Sequence, residues 1–190
     1  MKRIPILLSI SLLFSLTCAP PKPYEFKNFA FQKEALVDLR QKRIAVLPFE
    51  SPFGSEIGKK AAEEMSIAIG KIGKFQIVER ERIEELYKEQ DLDKKRIDEK
   101  TAVEIGKMLG AHGIVLGTVR EYKKNSVGLA CRLVSVETGR IIWQASDLIK
   151  GSDRRIQAHF PDKEDRVRLS EDPEFLLNFL CRLFAETWKE

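Results

Sequence analysis

Three consecutive β-rich runs constrain the fold of this chain of 190 residues more than any other feature. They are GIVLGTVREY (113–122), VGLACRLVSV (127–136) and RIIWQASDLI (140–149), all rich in apolar and β-branched residues. The connections between them, KKNS and ETG, have the length and composition of hairpin turns. The pattern therefore predicts an antiparallel meander of three strands.

The residues before the meander alternate between short strands and amphipathic helices. RIAVLPF (43–49) and FQIVE (75–79) are typical of buried strands. The segment that begins at Ser55 has apolar residues three and four apart, which indicates one face of a helix, with Ser55 as its cap. Two more helices are predicted, RERIEELYKEQ and then EKTAVEIGKMLG, which Asp98 caps and Gly110 ends.

An apolar helix is predicted at the C-terminus, over residues 172–189. Asp172 followed by Pro173 is typical of a helix start, because an acidic cap accepts backbone N–H groups and proline suits the first turn. A helix that is apolar on nearly every side is either packed deep in its domain or shared with a partner. Its large apolar residues are Phe175, Leu176, Phe179, Leu180, Leu183, Phe184 and Trp188.

The order β-α-β-α-α-β-β-β-α contains no internal repeat and predicts a single α/β domain over residues 42–190. We expect a mixed sheet of about five strands that is covered by helices. Residues 150–171, which are rich in charged side chains, are predicted to be a loop before the last helix.

The N-terminus has the layout of a secretory signal peptide over residues 1–17. Two basic residues precede an apolar run that is too short to span a bilayer, which takes about 20 residues. Cys18 follows and resembles the lipidated cysteine of bacterial lipoproteins, although Ser15 and Thr17 depart from the usual motif. We therefore expect export, lipidation of Cys18 and a Pro-rich tether with an N-terminal segment over residues 18–41.

The charge of the mature chain argues against a nucleic-acid partner. Two of the 33 lysine and arginine residues lie in the signal peptide, which leaves 31 basic and 29 acidic residues in the mature chain. The net charge of the mature chain is therefore only about +2. Charges of both signs are interspersed, whereas a nucleic-acid footprint would cluster basic residues.

The stretch FGSEIGKK, Phe53 to Lys60, raises the question of a phosphate-binding loop. Gly54 and Gly58 enclose three residues instead of four, and Lys60 stands where a hydroxyl would bind magnesium, so a turn and a helix start are favoured. The two histidines lie outside any zinc or hydrolase motif. No catalytic, cofactor-binding or metal-ligating residue and no small-molecule substrate is predicted, and an enzyme without a recognisable motif remains an alternative.

Two cysteines remain beyond Cys18, namely Cys131 in a predicted strand and Cys181 in the C-terminal helix. Export makes a disulfide between them chemically possible. We favour the alternative in which both are small apolar residues of the core.

The series IAVLPF, FQIVERERIEELYKEQ, AVEIGKMLGAHGIVLGTV and CRLVSVETGRIIW, from Arg43 to Lys150, resembles the CsgG family of bacterial lipoproteins. The resemblance implies a fold like the N-terminal domain of TolB and the lipoproteins that activate penicillin-binding proteins. The curli channel of this family inserts two long transmembrane hairpins from each subunit. Here the four-residue connection Lys123–Ser126 and the charged residues 150–171 leave no such hairpins.

The resemblance, together with Cys18, implies a non-enzymatic domain on the periplasmic side of the outer membrane, held there by its lipid anchor. It would act as adaptor or scaffold for secretion, flagellar assembly or cell-wall synthesis. An oligomeric component of a curli-type secretion complex, assembled through the C-terminal helix or the sheet edges, is the alternative. Envelope proteins and further copies of the chain are the expected partners, and the sequence does not identify the partner-binding residues.

Overall fold

The computed structural model describes residues 22, 24–92 and 97–189, which form an α/β domain with a mixed sheet and helices on both of its faces. The predicted fold class is confirmed. Cys18 and the predicted signal peptide lie outside the described residues.

The elements follow one another in an order close to the predicted one. They are β1 (Phe29–Phe31), α1 (Lys33–Asp38), β2 (Arg43–Val46), α2 (Ser55–Gly70), β3 (Gln76–Ile77), α3 (Arg80–Glu89), α4 (Glu99–Leu109), β4 (Gly113–Lys123), β5 (Ser126–Ser135), β6 (Ile141–Lys150), α5 (Arg154–Gln157), α6 (Lys163–Glu171) and α7 (Pro173–Glu186).

The sheet has six strands in the order β1-β6-β5-β4-β2-β3. Strand β2 is parallel to both β3 and β4, whereas β4, β5, β6 and β1 are successively antiparallel. The predicted meander is confirmed, and the turn between β4 and β5 is tight because Asn125 adopts a left-handed conformation with φ of 61°.

The sixth strand, β1, lies in the N-terminal segment that was predicted as part of residues 18–41. Phe29 pairs with Ala145 and Phe31 with Trp143 of β6. The rings of Phe29 and Phe31 pack on the core beside Phe26, whose ring centroid lies 4.8 Å from that of Phe184. Burial of these aromatic rings stabilises a strand that is too short to be evident from its sequence.

Helices α2 and α7 cover one face of the sheet and enclose the first core, in which Met65, Trp143, Leu180 and Phe184 are fully buried. Helices α3 and α4 cover part of the other face and enclose the second core, around Ile105 and its neighbours. The two cores meet only across the strands of the sheet.

Helix α7 packs within its own domain. Asp172 caps it as predicted and accepts the backbone N–H of Glu174 at 2.9 Å. Leu176, Leu180 and Trp188 have no exposed surface, so the interpretation that this helix packs against its own sheet is confirmed. Assembly through its apolar side chains is disfavoured, because they are already buried within a single chain.

The prediction of a loop over residues 150–171 is wrong, because the segment contains α5 and α6. Asp153 caps α5 by accepting the backbone N–H of Arg155 at 2.8 Å. Leu169 anchors α6 in the first core and is fully buried. A Cβ atom at Gly151 would lie 1.9 Å from the carbonyl oxygen of Leu169, so only glycine permits this approach.

Within the ranges given above, no helix has the length and apolar character needed to cross a membrane.

Candidate functional site

The stretch FGSEIGKK forms a turn and the start of α2. Gly54, with φ of 108°, is the residue that precedes the helix, so the prediction of Ser55 as the cap is wrong by one position. A Cβ atom at Gly58 would lie 2.0 Å from the carbonyl oxygen of Phe49. Gly58 is therefore needed for close packing of the segment after β2 on α2, and Lys60 forms an ion pair with Glu174.

The two histidines occupy separate parts of the fold. His112 lies between α4 and β4, and its backbone N–H donates to the carbonyl of Arg43 at 2.8 Å. The Nε2 atom of His159 lies 3.0 Å from the carbonyl oxygen of Tyr24. No group of three or more His, Cys, Asp or Glu side chains could hold a metal ion in the part of the chain that the structure describes.

Cys131 of β5 and Cys181 of α7 are free and buried in the first core. Burial raises the pKa of both thiols, because it disfavours the thiolate. The Sγ atom of Cys181 lies 3.9 Å from the carbonyl oxygen of Ala61. The interpretation of both residues as core residues is confirmed, and they form no disulfide.

A cavity of about 320 Å³ lies between α2 and α3, and we call it the α2–α3 groove. Its floor is apolar: Val46 and Pro48 come from the end of β2, Val78 follows β3, and Ala62 and Ile83 come from the two helices. Its other lining residues, mostly polar, are Lys59, Glu63, Ser66, Ile67, Arg80, Glu81, Glu84, Tyr87 and Lys88. A cavity of this size and character is typical of binding sites.

The course of the chain explains why the groove lies here. The chain leaves the carboxyl end of β2 for α2 on the first core, and leaves the adjacent parallel strand β3 for α3 on the second core. In open α/β sheets, ligands bind in the crevice at the carboxyl ends of strands whose connections diverge in this way.

The edge of β2 faces the groove. Strand β3 pairs with β2 only at Arg43 and Ile44, and the last hydrogen bond runs from the N–H of Val78 to the carbonyl of Ile44, at 2.9 Å. Because backbone groups alternate in direction along a strand, Val46 is the next residue whose N–H and carbonyl point toward the β3 side. Val46 lines the groove, and Ile67 at its rim exposes 43% of its surface.

Charged side chains of both signs surround the floor. The Nε of Arg80 donates to Glu84 at 2.9 Å, and its Nη1 donates to Glu63 of α2, so the guanidinium links α3 to α2. The hydrogen bond from Arg80 lowers the pKa of Glu84. Lys59 lies 3.3 Å from Glu56. The groove therefore offers an apolar floor and a charged rim.

The family model described as "Curli production assembly/transport component CsgG" matches residues 37–128. Residues 37–128 are therefore similar to the CsgG family, and we call the folded domain that contains them the CsgG-family domain. The match begins in α1, ends in β5 and includes the residues of the α2–α3 groove. The connection between β4 and β5 is a tight turn, and α5 and α6 follow β6.

Two solved structures of PelC share the fold of the CsgG-family domain, and a third structure is similar at a TM-score below 0.5. A PelC dodecamer from Paraburkholderia phytofirmans is 14% identical, with 79% of this chain and 89% of that chain covered and a TM-score of 0.52. A second PelC dodecamer from this organism is 12% identical, with 88% and 98% covered and a TM-score of 0.52. Lipoprotein GNA1162 from Neisseria meningitidis is 20% identical, with 57% and 80% covered and a TM-score of 0.47. No curated protein sequence matches the chain.

Sequence reasoning did not find the groove. Its residues come from three separate stretches, and most of them read as ordinary faces of strands and helices. The one usable signal is Ile67, which lies outside the apolar face that Ala61, Met65 and Ile69 define on α2. This signal does not by itself indicate a binding surface, because single exposed apolar residues are common on proteins.

Proposed function

We propose that this chain is a non-enzymatic adaptor of the bacterial envelope, anchored by lipid at Cys18 to the periplasmic side of the outer membrane. Its CsgG-family domain binds an envelope protein in the α2–α3 groove. The observation that carries this proposal is the groove itself, an apolar cavity with a charged rim at the divergence of β2 and β3.

The groove suits a segment of polypeptide. The backbone of Val46 can pair with an extended segment, as in other proteins that bind peptides at a sheet edge. The apolar floor accommodates a large apolar side chain of that segment. Charges of both signs at the rim, from Lys59 to Glu84, complement a segment in which acidic and basic residues flank the apolar one. Secretion, flagellar assembly and cell-wall synthesis are the processes to which such an adaptor belongs.

Photo-crosslinking in cells tests this use of the groove. A photoreactive residue replaces Ile67 of the full chain, and the control replaces Met108 of α4, which lies outside the groove and is similarly exposed at 47% against 43%. We expect a discrete adduct with another envelope protein from position 67 and none from position 108. The same adducts from both positions, or none from position 67, would contradict the proposal.

A homo-oligomeric component of a secretion complex is the second candidate, because the CsgG-family domain shares its fold with the PelC dodecamers. In that case the adduct from position 67 would be a covalent dimer of the chain itself. Light scattering of the lipoprotein in mild detergent separates the two functions, because a closed ring has many times the mass of a monomer.

Mass spectrometry of the mature N-terminus tests the anchor, since an unmodified N-terminus at another residue would exclude lipidation of Cys18.

A further inference from the structure

The first described residues are fixed to one end of the domain. The backbone N–H of Tyr24 donates to the carbonyl of Arg155 at 2.9 Å, and its hydroxyl donates to the carboxylate of Asp147. The guanidinium carbon of Arg155 lies 5.2 Å from the centroid of the Tyr24 ring. The described chain is therefore attached to the folded domain at Tyr24, beside the end of β6 and the start of α5.

This attachment limits the distance between the domain and a lipid at Cys18. Five residues, 19–23, separate Cys18 from Tyr24. Because an extended chain spans at most about 3.6 Å per residue, six steps bridge no more than about 22 Å. Strand β5, with its ten residues, is about 33 Å long at about 3.3 Å per residue. The end of the meander that bears Tyr24 therefore lies close to the lipid, and the opposite end does not.

The end of the meander that bears Tyr24 is basic and has one exposed apolar residue, Leu148, which lies on the sheet face opposite to Asp147 and Tyr24. We call it the anchor-side surface and define it by Lys22, Lys124, Leu148, Lys150, Arg154 and Arg155. The β4–β5 turn belongs to it, because the backbone N–H of Ser152 donates to the side chain of Asn125 at 2.7 Å. Leu148 exposes 50% of its surface.

The anchor-side surface carries more positive charges than its two ion pairs neutralise. Arg155 pairs with Asp153 at 2.7 Å and Lys124 with Glu171 at 2.8 Å. Lys22, Lys150 and Arg154 add three positive charges beyond these pairs, against one further carboxylate, that of Asp147, which accepts the Tyr24 hydroxyl. An anionic leaflet attracts basic side chains that lie within the Debye length of about 8 Å. The long side chains of lysine and arginine can also reach the headgroups while their aliphatic parts contact apolar surface.

We infer that the anchor-side surface lies against the anionic phospholipid headgroups of the membrane that holds the anchor, with Leu148 in the headgroup layer. This inference rests on the proposed lipidation of Cys18. It orients the meander away from the membrane and leaves the α2–α3 groove accessible. Val46 pairs with Val115, eight residues before the end of β4 at Lys123, which places the groove about 26 Å from the membrane side of the strand.

Fluorescence quenching on vesicles tests the orientation with the full-length lipoprotein. A fluorophore is attached to Ser152→Cys, or in the control to Glu137→Cys in the exposed turn at the opposite end of β5 and β6. The native thiols of Cys131 and Cys181 are buried and remain unlabelled. The vesicles contain phosphatidylethanolamine, phosphatidylglycerol and a lipid with a nitroxide quencher on its headgroup. We expect strong quenching at position 152 and none above background at position 137; equal quenching would overturn the inference.

A charge reversal tests the role of the basic residues. Lys150→Glu with Arg154→Glu should lower the quenching at position 152 toward the level at position 137, and added salt should act in the same direction. Unchanged quenching in this double variant would overturn the contact with anionic headgroups. Flotation of the same samples separates the two proposals. A protein that does not float overturns the lipid anchor and this inference with it, whereas a floating protein with equal quenching overturns the orientation alone.

Discussion

Replacement of Gly58 by alanine should destabilise the CsgG-family domain through one backbone contact. The added methyl group would lie 2.0 Å from the carbonyl oxygen of Phe49, more than 1 Å inside a normal contact of about 3.5 Å. Phe49 cannot retreat, because it is buried and its ring lies against Gly117. Alanine improves helix propensity by about 1 kcal/mol. A clash with a backbone atom that cannot move should cost about 3 kcal/mol, the upper end of the usual range for overpacking, so a net loss of about 2 kcal/mol is expected.

Thermal unfolding followed by far-UV circular dichroism measures this loss. For a domain of this size, 1 kcal/mol corresponds to about 2–4 °C, so the Tm of Gly58→Ala should fall by about 4–8 °C. Gly70→Ala is the matched control in the same helix, because the nearest atom to its new methyl group, Cγ1 of Ile77, is 3.6 Å away. The control should unfold at the wild-type Tm or slightly above it. A Gly58→Ala variant that behaves as the control does would refute the reasoning.

Three further outcomes follow from the structure. Asp172→Ala removes the cap of α7 and should cost about 1 kcal/mol in urea unfolding, whereas Asp162→Ala, at a helix start without a side-chain cap, should change little. Because burial raises the pKa of the Cys131 and Cys181 thiols, iodoacetamide should modify both only after unfolding; rapid labelling of the native protein would contradict their burial. Hydrogen bonds from the start of α4 lower the pKa of Asp98, so its contribution to stability is present above about pH 4 and lost as the pH falls through the lower folded value. Asp98→Asn should therefore flatten the acid side of a stability profile measured by urea unfolding, and an unchanged profile would count against the cap.

The elements that the sequence predicts well are those whose signal is local. Repeated β-branched residues and short polar turns indicate the β4–β5–β6 meander, and the pair Asp172–Pro173 indicates the start of α7. Strand β1 and helix α6 lack such signals, because three residues establish no alternation and α6 buries only Leu169. Long-range contacts stabilise both, through the phenylalanine rings beside β6 and the approach of Gly151 to α6. The groove depends on similar contacts, so no local pattern indicates it.

The attachment of Tyr24 restricts where an adaptor of this kind can act. The stretch from Cys18 to Tyr24 allows at most about 22 Å, and the groove lies about 26 Å along the meander from its membrane side. A lipid at Cys18 therefore holds the groove within about 50 Å of the headgroups. With the proposed anchor in the outer membrane, a partner from the inner membrane would have to extend a segment to within about 50 Å of the outer-membrane headgroups to reach it. The geometry thus favours partners that are themselves embedded in the outer membrane or docked on its inner surface, and crosslinked partners from position 67 should be of this kind.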